Sequence, residues 1–449
     1  MLSNPLLDRY GPTLEEYLNP NTHGYELQLV TRRVLPSRQD ILDAIALLSE
    51  PEEVTYQTFE TILALEWSPA CNNLDILVSG AAQTSLPACF LLITKYCEEG
   101  NHRVLDHAYG LLCFRVISLF VQFSIISRSD KLNLLFASNS LQPRGRSIAP
   151  EFNEFTCNVV SGLVSQSLRN RRFTGIFELG AFGWSVDPST GSESCFPKLG
   201  GCPVDEVHNL FLLLWESRDK LLYVASRTAP LFPGLGGLIC WVWSAIARQF
   251  DIDDRRVSES TWAYYLDLLI RFTLCSNERE AQLASLLYFA CHKFGTIPVL
   301  HFETKNTVDA HDSARIGVET ARKLDSDLNL PIDLATALIA YAGPNVDFGG
   351  NIVGIMKAAV ERLCIELDDV PRAEDLSDSL IAYCEMCFFT LSKVTDHDLR
   401  ALMQIFILVG EDIFEALGRI LFIPISLSEP HSIGGQDHSS SLGFKAHNL

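Results

Sequence analysis

Two thiols separated by two residues, Cys384-Glu385-Met386-Cys387, have the spacing with which zinc sites and thiol oxidoreductases aim a pair of sulfurs at one target. Their surroundings point elsewhere. Leu376, Leu380, Tyr383, Phe388 and Leu391 share a helical face with both cysteines, so the sulfurs are expected in an apolar core. No second CxxC or HxxxH supports a metal. Cys195, Cys202 and His208 bracket a Gly/Ser-rich stretch with Asp205 or Glu206 as a possible fourth ligand, but their spacing matches no common zinc pattern. His102 and Asp106 are four apart, which on a helix puts them on one face, and His107 follows. No further ligand can be named for them, so an ion pair or cap is the expected role. Thr395-Asp396-His397-Asp398 likewise reads as a capping box.

Gly234-Leu235-Gly236-Gly237 precedes a predicted helix, a place from which backbone amides can cradle a phosphate. The Lys-Ser/Thr of a P-loop is missing, as are a preceding strand and the acid of a Rossmann unit, so a tight turn into a buried helix is expected. Asp251-Ile252-Asp253-Asp254 resembles the DxDD motif of the class II terpene cyclases, a largely helical family. The resemblance implies that the middle acid, Asp253, protonates an alkene or epoxide. That role needs a carboxyl kept neutral, whereas Arg255 and Arg256 follow at once and favour ionised carboxylates. The family's aromatic repeats are absent, and Arg256 stands where a calcium loop needs glycine. No Gly-x-Ser-x-Gly elbow occurs. No residue is therefore assigned as catalytic, cofactor-binding or metal-ligating, and no cofactor is expected.

The elements that would position such residues read as helices. Ser37 opens a helix with Asp40 three residues on and Ile41, Ile45 and Leu48 as its apolar face. Ser258 precedes Trp262, Tyr265, Leu266, Leu269 and Phe272, a stripe that only a helix places on one side. After Glu278, Leu283, Leu286, Leu287, Ala290 and Phe294 form one face before Gly295. Pro331 starts a helix with Leu334, Ala335, Leu338 and Tyr341 buried, and Gly343-Pro344 is expected to stop it. Further helices are predicted near 55–67, 84–98, 103–127, 151–168, 204–226, 235–250, 311–328, 350–367, 373–392 and 396–421. Ile297–Phe302 is the best strand candidate and no sheet is expected.

Of the 449 residues, 47% are hydrophobic and 20% charged, so the chain can bury enough apolar surface to fold. The net charge of -20 repels polyanions and disfavours a nucleic-acid partner, although Arg144, Arg146, Arg169, Arg171 and Arg172 cluster in sequence. The thirteen cysteines are scattered through apolar stretches instead of punctuating loops, which favours a reducing compartment. The first 18 residues lack a signal-like apolar run and no Asn-x-Ser/Thr occurs, so a cytoplasmic location is expected. Tyr109–Ser127 and Thr228–Ala247 approach membrane-span length, but Arg115 and Gln122 interrupt one and Pro230, Pro233 and glycines the other. Buried core helices are expected in both places, with no integral membrane span.

The expectation is an all-α fold, either an α-solenoid of HEAT or armadillo type or a large irregular bundle, with no repeating signature to decide between them. An N-terminal helical unit is placed at 1–140 and a main helical region at 151–425. A Gly/Ser/Pro-rich loop is inserted in the latter at 180–203, and a disordered tail follows at 426–449. The functional expectation is a non-catalytic scaffold binding another polypeptide along a groove or acidic face. A helical enzyme acting on an apolar or phosphorylated small molecule is the alternative, and attachment to a membrane surface through Trp241 and Trp243 ranks third.

Overall fold

The computed structural model describes residues 9–19, 36–67, 70–78, 80–82, 84–134, 149–174, 182–186, 191, 193–227, 234–252, 259–294, 307–327, 329–345, 351–368, 378–392 and 400. Among these the molecule is mostly helical. Helices α1 (Leu14–Tyr17), α2 (Arg38–Leu47), α3 (Tyr56–Leu63), α4 (Ser85–Gly100) and α5 (Ala108–Arg128) form the N-terminal part. They are followed by α6 (Ala149–Thr174), α7 (Val204–Glu216), α8 (Arg218–Arg227), α9 (Leu235–Ile252) and α10 (Glu259–Cys275). The last described are α11 (Glu278–Phe294), α12 (Ala310–Ser326), α13 (Ile332–Asn345), α14 (Asn351–Asp368) and α15 (Asp378–Ser392).

Local chemistry sets several of these boundaries. The Ser37 hydroxyl accepts from the Asp40 amide at 3.2 Å while the Asp40 carboxylate accepts from the Ser37 amide at 2.7 Å, closing the capping box that starts α2. Three expectations need correction. The span 204–226 is two helices that break at Ser217, because each is too short to be told from one long amphipathic run by periodicity alone. The helix expected from 103 starts at Ala108, and residues before it form a turn in which the Asp106 carboxylate accepts from the Arg103 amide at 2.7 Å. Helix α13 continues through Gly343-Pro344 to Asn345, since a proline in a last turn removes one main-chain hydrogen bond without breaking what precedes it.

A small antiparallel sheet corrects the fourth expectation. Within the region read as a loop, β1 (Ser185–Val186), β2 (Glu193–Cys195) and β3 (Cys202–Pro203) pair in the order β1-β2-β3. Strands of two and three residues carry no alternation long enough to detect. Ile297–Phe302, the predicted helix at 396–421 except residue 400, and the tail at 426–449 lie outside the described residues.

One buried apolar cluster runs from Tyr10 to Cys387. Its centre is α5, the one helix among the described residues that is long and apolar enough to cross a membrane, and 89% of its apolar window is buried inside the molecule. Helices α3, α4, α6 and α9 pack on it. The charge that interrupts it, Arg115, donates to the Glu66 carboxylate, and both side chains are buried. Beyond α6, helices α8, α10, α12 and α14 pack in succession, α7, α9 and α11 do the same, and α13 packs against α15.

Candidate functional site

The densest polar constellation lies where α7, α8, α10, α12 and α13 meet. Asp267 and Arg271 sit one turn apart on α10, inside a helix whose other inward residues, Tyr265, Leu266, Leu269 and Phe272, are apolar. Asp267 Oδ1 accepts from Arg271 Nε at 3.0 Å and from the Tyr341 hydroxyl of α13, and Oδ2 accepts from Trp215 Nε1 of α7 at 3.0 Å. Arg218 Nε of α8 stands 3.2 Å from Oδ2 as an ion pair, with its guanidinium 4.1 Å over the Trp215 ring. Arg271 reaches on to α12, where Nη1 and Nη2 bond the two oxygens of Asp312 at 2.7 and 2.9 Å. Asp267, Arg271 and Asp312 are each about 1% exposed.

This arrangement leaves no acid or base free to act on a substrate. Every oxygen of both carboxylates already faces donors, since Asp312 Oδ2 also accepts from the Val308 amide at 3.1 Å. Burial alone would raise the pKa of Asp312, but the Arg271 guanidinium bonded to it outweighs that and holds the carboxyl below its ordinary range. The constellation is a saturated tie between helices. Around its rim, Arg103 clasps Asp219 at 2.9 and 3.1 Å, Lys220 bonds Asp106 at 2.7 Å, and Arg315 donates to the Asp219 carbonyl at 3.1 Å.

The second constellation is the docking of the small sheet on α9. Trp241 Nε1 donates to Cys195 Sγ at 3.1 Å, Trp184 Nε1 donates to the Ser244 hydroxyl at 2.9 Å, and Arg248 grips both Glu193 oxygens at 2.9 and 2.7 Å. Positions 241, 244 and 248 fall on one face of a helix, so the insert lies lengthwise along α9. Phe196 completes the seat, 5.5 Å from Trp241 between ring centroids. Beside the turn that follows, a cavity of about 20 Å3 opens against Phe123 and Ser127 of α5, room for about one water molecule.

The residues singled out by sequence fall as follows. Cys384 and Cys387 are buried, and burial pushes their thiols up to about 11 and about 12. Cys195 and Cys202 are buried, Cys195 beneath Trp241, while His208 packs edge-on against Phe211 of α7, where burial lowers its pKa. Among the described residues no group of three His, Cys, Asp or Glu side chains is placed to hold a metal ion. His102 and Asp106 share no helix. The His102 and His107 rings pack 4.7 Å apart beside Tyr96, whose hydroxyl lies 2.9 Å from His107 Nδ1.

The glycine cluster at α9 serves packing. Gly234 has φ +87, and a Cβ there would sit inside the Gln122 amide and Ser118 hydroxyl of α5. Its amide donates to Asn153 Oδ1 at 2.7 Å. A Cβ on Gly236 would come within 2.9 Å of Cys157 Sγ on α6. Trp241 and Trp243 are buried, so neither side chain is at the surface. Asp253, Asp254, Arg144, Arg146 and the segment Thr395–Asp398 lie outside the described residues, and of the side chains of Asp251, Arg171 and Arg172 nothing is described.

Sequence reading missed Asp267, Arg271 and Asp312. The available signal was an acid and a base at i, i+4 inside the apolar run 262–274, a pairing that on a buried face has no solvent to satisfy it. The chain matches no protein-family model, no curated protein and no solved structure.

Proposed function

We propose that this chain is a non-catalytic helical interaction protein that binds a basic amphipathic helix of another polypeptide on its acidic C-terminal surface. The observation that carries this reading is the outer side of α15. Leu380, Tyr383, Cys384, Cys387 and Thr390 are buried, while Asp378, Ile381 and Glu385 stand exposed on the opposite side at helical spacing. Ile381 is 44% exposed, and Ile365 of α14, which packs on α15, is 42% exposed, an apolar complement that a solvated face does not need. Carboxylates beside exposed aliphatic groups fit a partner helix carrying lysine or arginine beside leucine, and the net charge of -20 steers such a partner inward.

The same reading favours the solenoid over the irregular bundle for the region from α7 onward. Packing of α8, α10, α12 and α14 in one succession and α7, α9 and α11 in another supports two stacked layers, the arrangement that gives helical arrays their extended binding faces. A reducing cytoplasmic setting goes with it, because the described cysteines are free thiols.

Fluorescence anisotropy with a labelled peptide alternating Leu and Lys/Arg at i, i+4 tests the proposal on the full chain. Binding is expected at low salt, weakened about tenfold by the double substitution Ile381→Asp, Glu385→Lys, a loss of about 1.4 kcal/mol with the melting temperature unchanged. An absence of binding at low salt, or binding indifferent to both substitutions, would overturn it.

A further inference from the structure

Cys195 and Cys202 are direct partners across β2 and β3, and their neighbours define the kind of pair they form. The Gly201 amide donates to the Phe196 carbonyl at 3.2 Å as the cap of the intervening turn, while the Phe196 amide donates to the Phe182 carbonyl, so 196 and 201 exchange no reciprocal bonds. Ser194 faces Pro203, which has no amide hydrogen and cannot complete a hydrogen-bonded pair. Hydrogen-bonded and non-hydrogen-bonded pairs alternate along an antiparallel ladder, so Cys195 and Cys202 occupy the hydrogen-bonded kind. Such pairs bring Cα atoms to about 5.5 Å with both side chains on one face. That separation lies inside the window of about 4.4–6.8 Å that a disulfide spans.

Cys195 Sγ lies 3.6 Å from the Cys202 carbonyl oxygen, both side chains are fully buried, and the Trp241 indole covers Cys195. Burial, then the hydrogen bond from its neighbour's thiol, pushes the Cys202 thiol far above its ordinary value, which keeps the pair inert until the insert opens.

We propose that Cys195 and Cys202 are a reversible redox pair whose disulfide closes the Phe196–Gly201 turn and fixes the insert on α9. The chemistry balances with a small-molecule disulfide of the glutathione class as oxidant. One cysteine thiolate attacks a glutathione sulfur and expels the first glutathione thiolate, leaving a mixed disulfide. The second cysteine, its proton passed to solvent, displaces the other glutathione. Two protein thiols are oxidised to one disulfide, and one glutathione disulfide is reduced to two thiols.

The link is expected to form slowly, because attack waits on opening of a seat held by the Trp184, Trp241 and Arg248 contacts. Its formation is visible from Trp241, whose indole donates to Cys195 Sγ and sits where a disulfide quenches emission.

The test equilibrates the full-length protein with oxidised glutathione, traps remaining thiols by alkylation under denaturing conditions, and maps peptides by mass spectrometry. Two of the thirteen cysteines are expected to escape alkylation, joined as Cys195 to Cys202, with tryptophan emission falling and returning on addition of dithiothreitol. Cys202→Ser is expected to abolish both changes, and Trp241→Phe to abolish the emission change while leaving the disulfide. Full alkylation of Cys195 and Cys202 after equilibration would overturn the proposal. So would a disulfide joining other cysteines in preference, or an emission change that survives Cys202→Ser.

Discussion

Arg271→Met is the sharpest probe of the buried tie between helices. It removes the two hydrogen bonds of 2.7 and 2.9 Å to Asp312, the bond of 3.0 Å to Asp267 and the donor of 3.2 Å to the Arg218 carbonyl, while keeping most of the side-chain volume. Asp267 retains Arg218, Trp215 and Tyr341, so the uncompensated charge is Asp312, which keeps only a backbone donor from Val308 among its oxygens' bonds. Removing one partner of a buried pair costs about 3–5 kcal/mol. Against a typical folded-state stability of about 5–15 kcal/mol, that is a fifth or more of the total. Urea unfolding reads it as a lowered midpoint at constant slope. The double variant Arg271→Met, Asp312→Leu should recover most of the loss, because no orphaned charge is then left inside.

The pH dependence supplies a second readout of the same substitution. The native pKa of Asp312 lies below its unfolded value near 3.8, so the folded state binds fewer protons. Its stabilisation is complete above that value and is lost as pH falls through the depressed native pKa. In Arg271→Met this acid-side loss should shrink. A shift under about 1 kcal/mol with unchanged slope, or a double variant no more stable than the single one, would refute the reasoning.

Gly234→Ala should cost about 1–2 kcal/mol from the left-handed backbone and about 1–3 kcal/mol more from overlap with Gln122 and Ser118, seen as a lowered melting temperature. Glu280 is buried, and burial raises its native pKa above 4.5 despite bonds from Asn277 and Asn153, so the folded state binds its proton more tightly than the unfolded one. Its contribution is therefore present at and below pH 4.5 and is lost as pH rises through the raised native value. Glu280→Gln should flatten that slope in urea midpoints measured from pH 4.5 upward, and an unchanged slope would show that another group carries it.

Helix content was legible because the apolar residues repeat at three and four with recognisable starts. Ser37 and Asp40 close their box as their types demand, and Leu334, Ala335, Leu338 and Tyr341 are buried together. What escaped depends on partners distant in sequence. Nothing local to Ser217 distinguishes its break from a continuing helix, and two-residue strands have no period to reveal. The role of Gly234 was read correctly in kind, as a tight turn into a buried helix, but its reason lies 112 residues earlier in Gln122. Asp312 reads as a first-turn acid of α12, and only the fold shows that it meets Arg271 from α10.

The burial of α5 also has a consequence for how the chain is made. Its flanking helices α3 and α4 are synthesised before it, whereas α9, which covers another side, begins only at Leu235. The roughly one hundred residues between Arg128 and Leu235 take about 5–20 s to emerge at ribosomal rates of about 5–20 residues per second. For that interval the nascent polypeptide displays a greasy rod of membrane-spanning length with one flank open, a state in which a chaperone or a translocation channel competes with folding for possession of it.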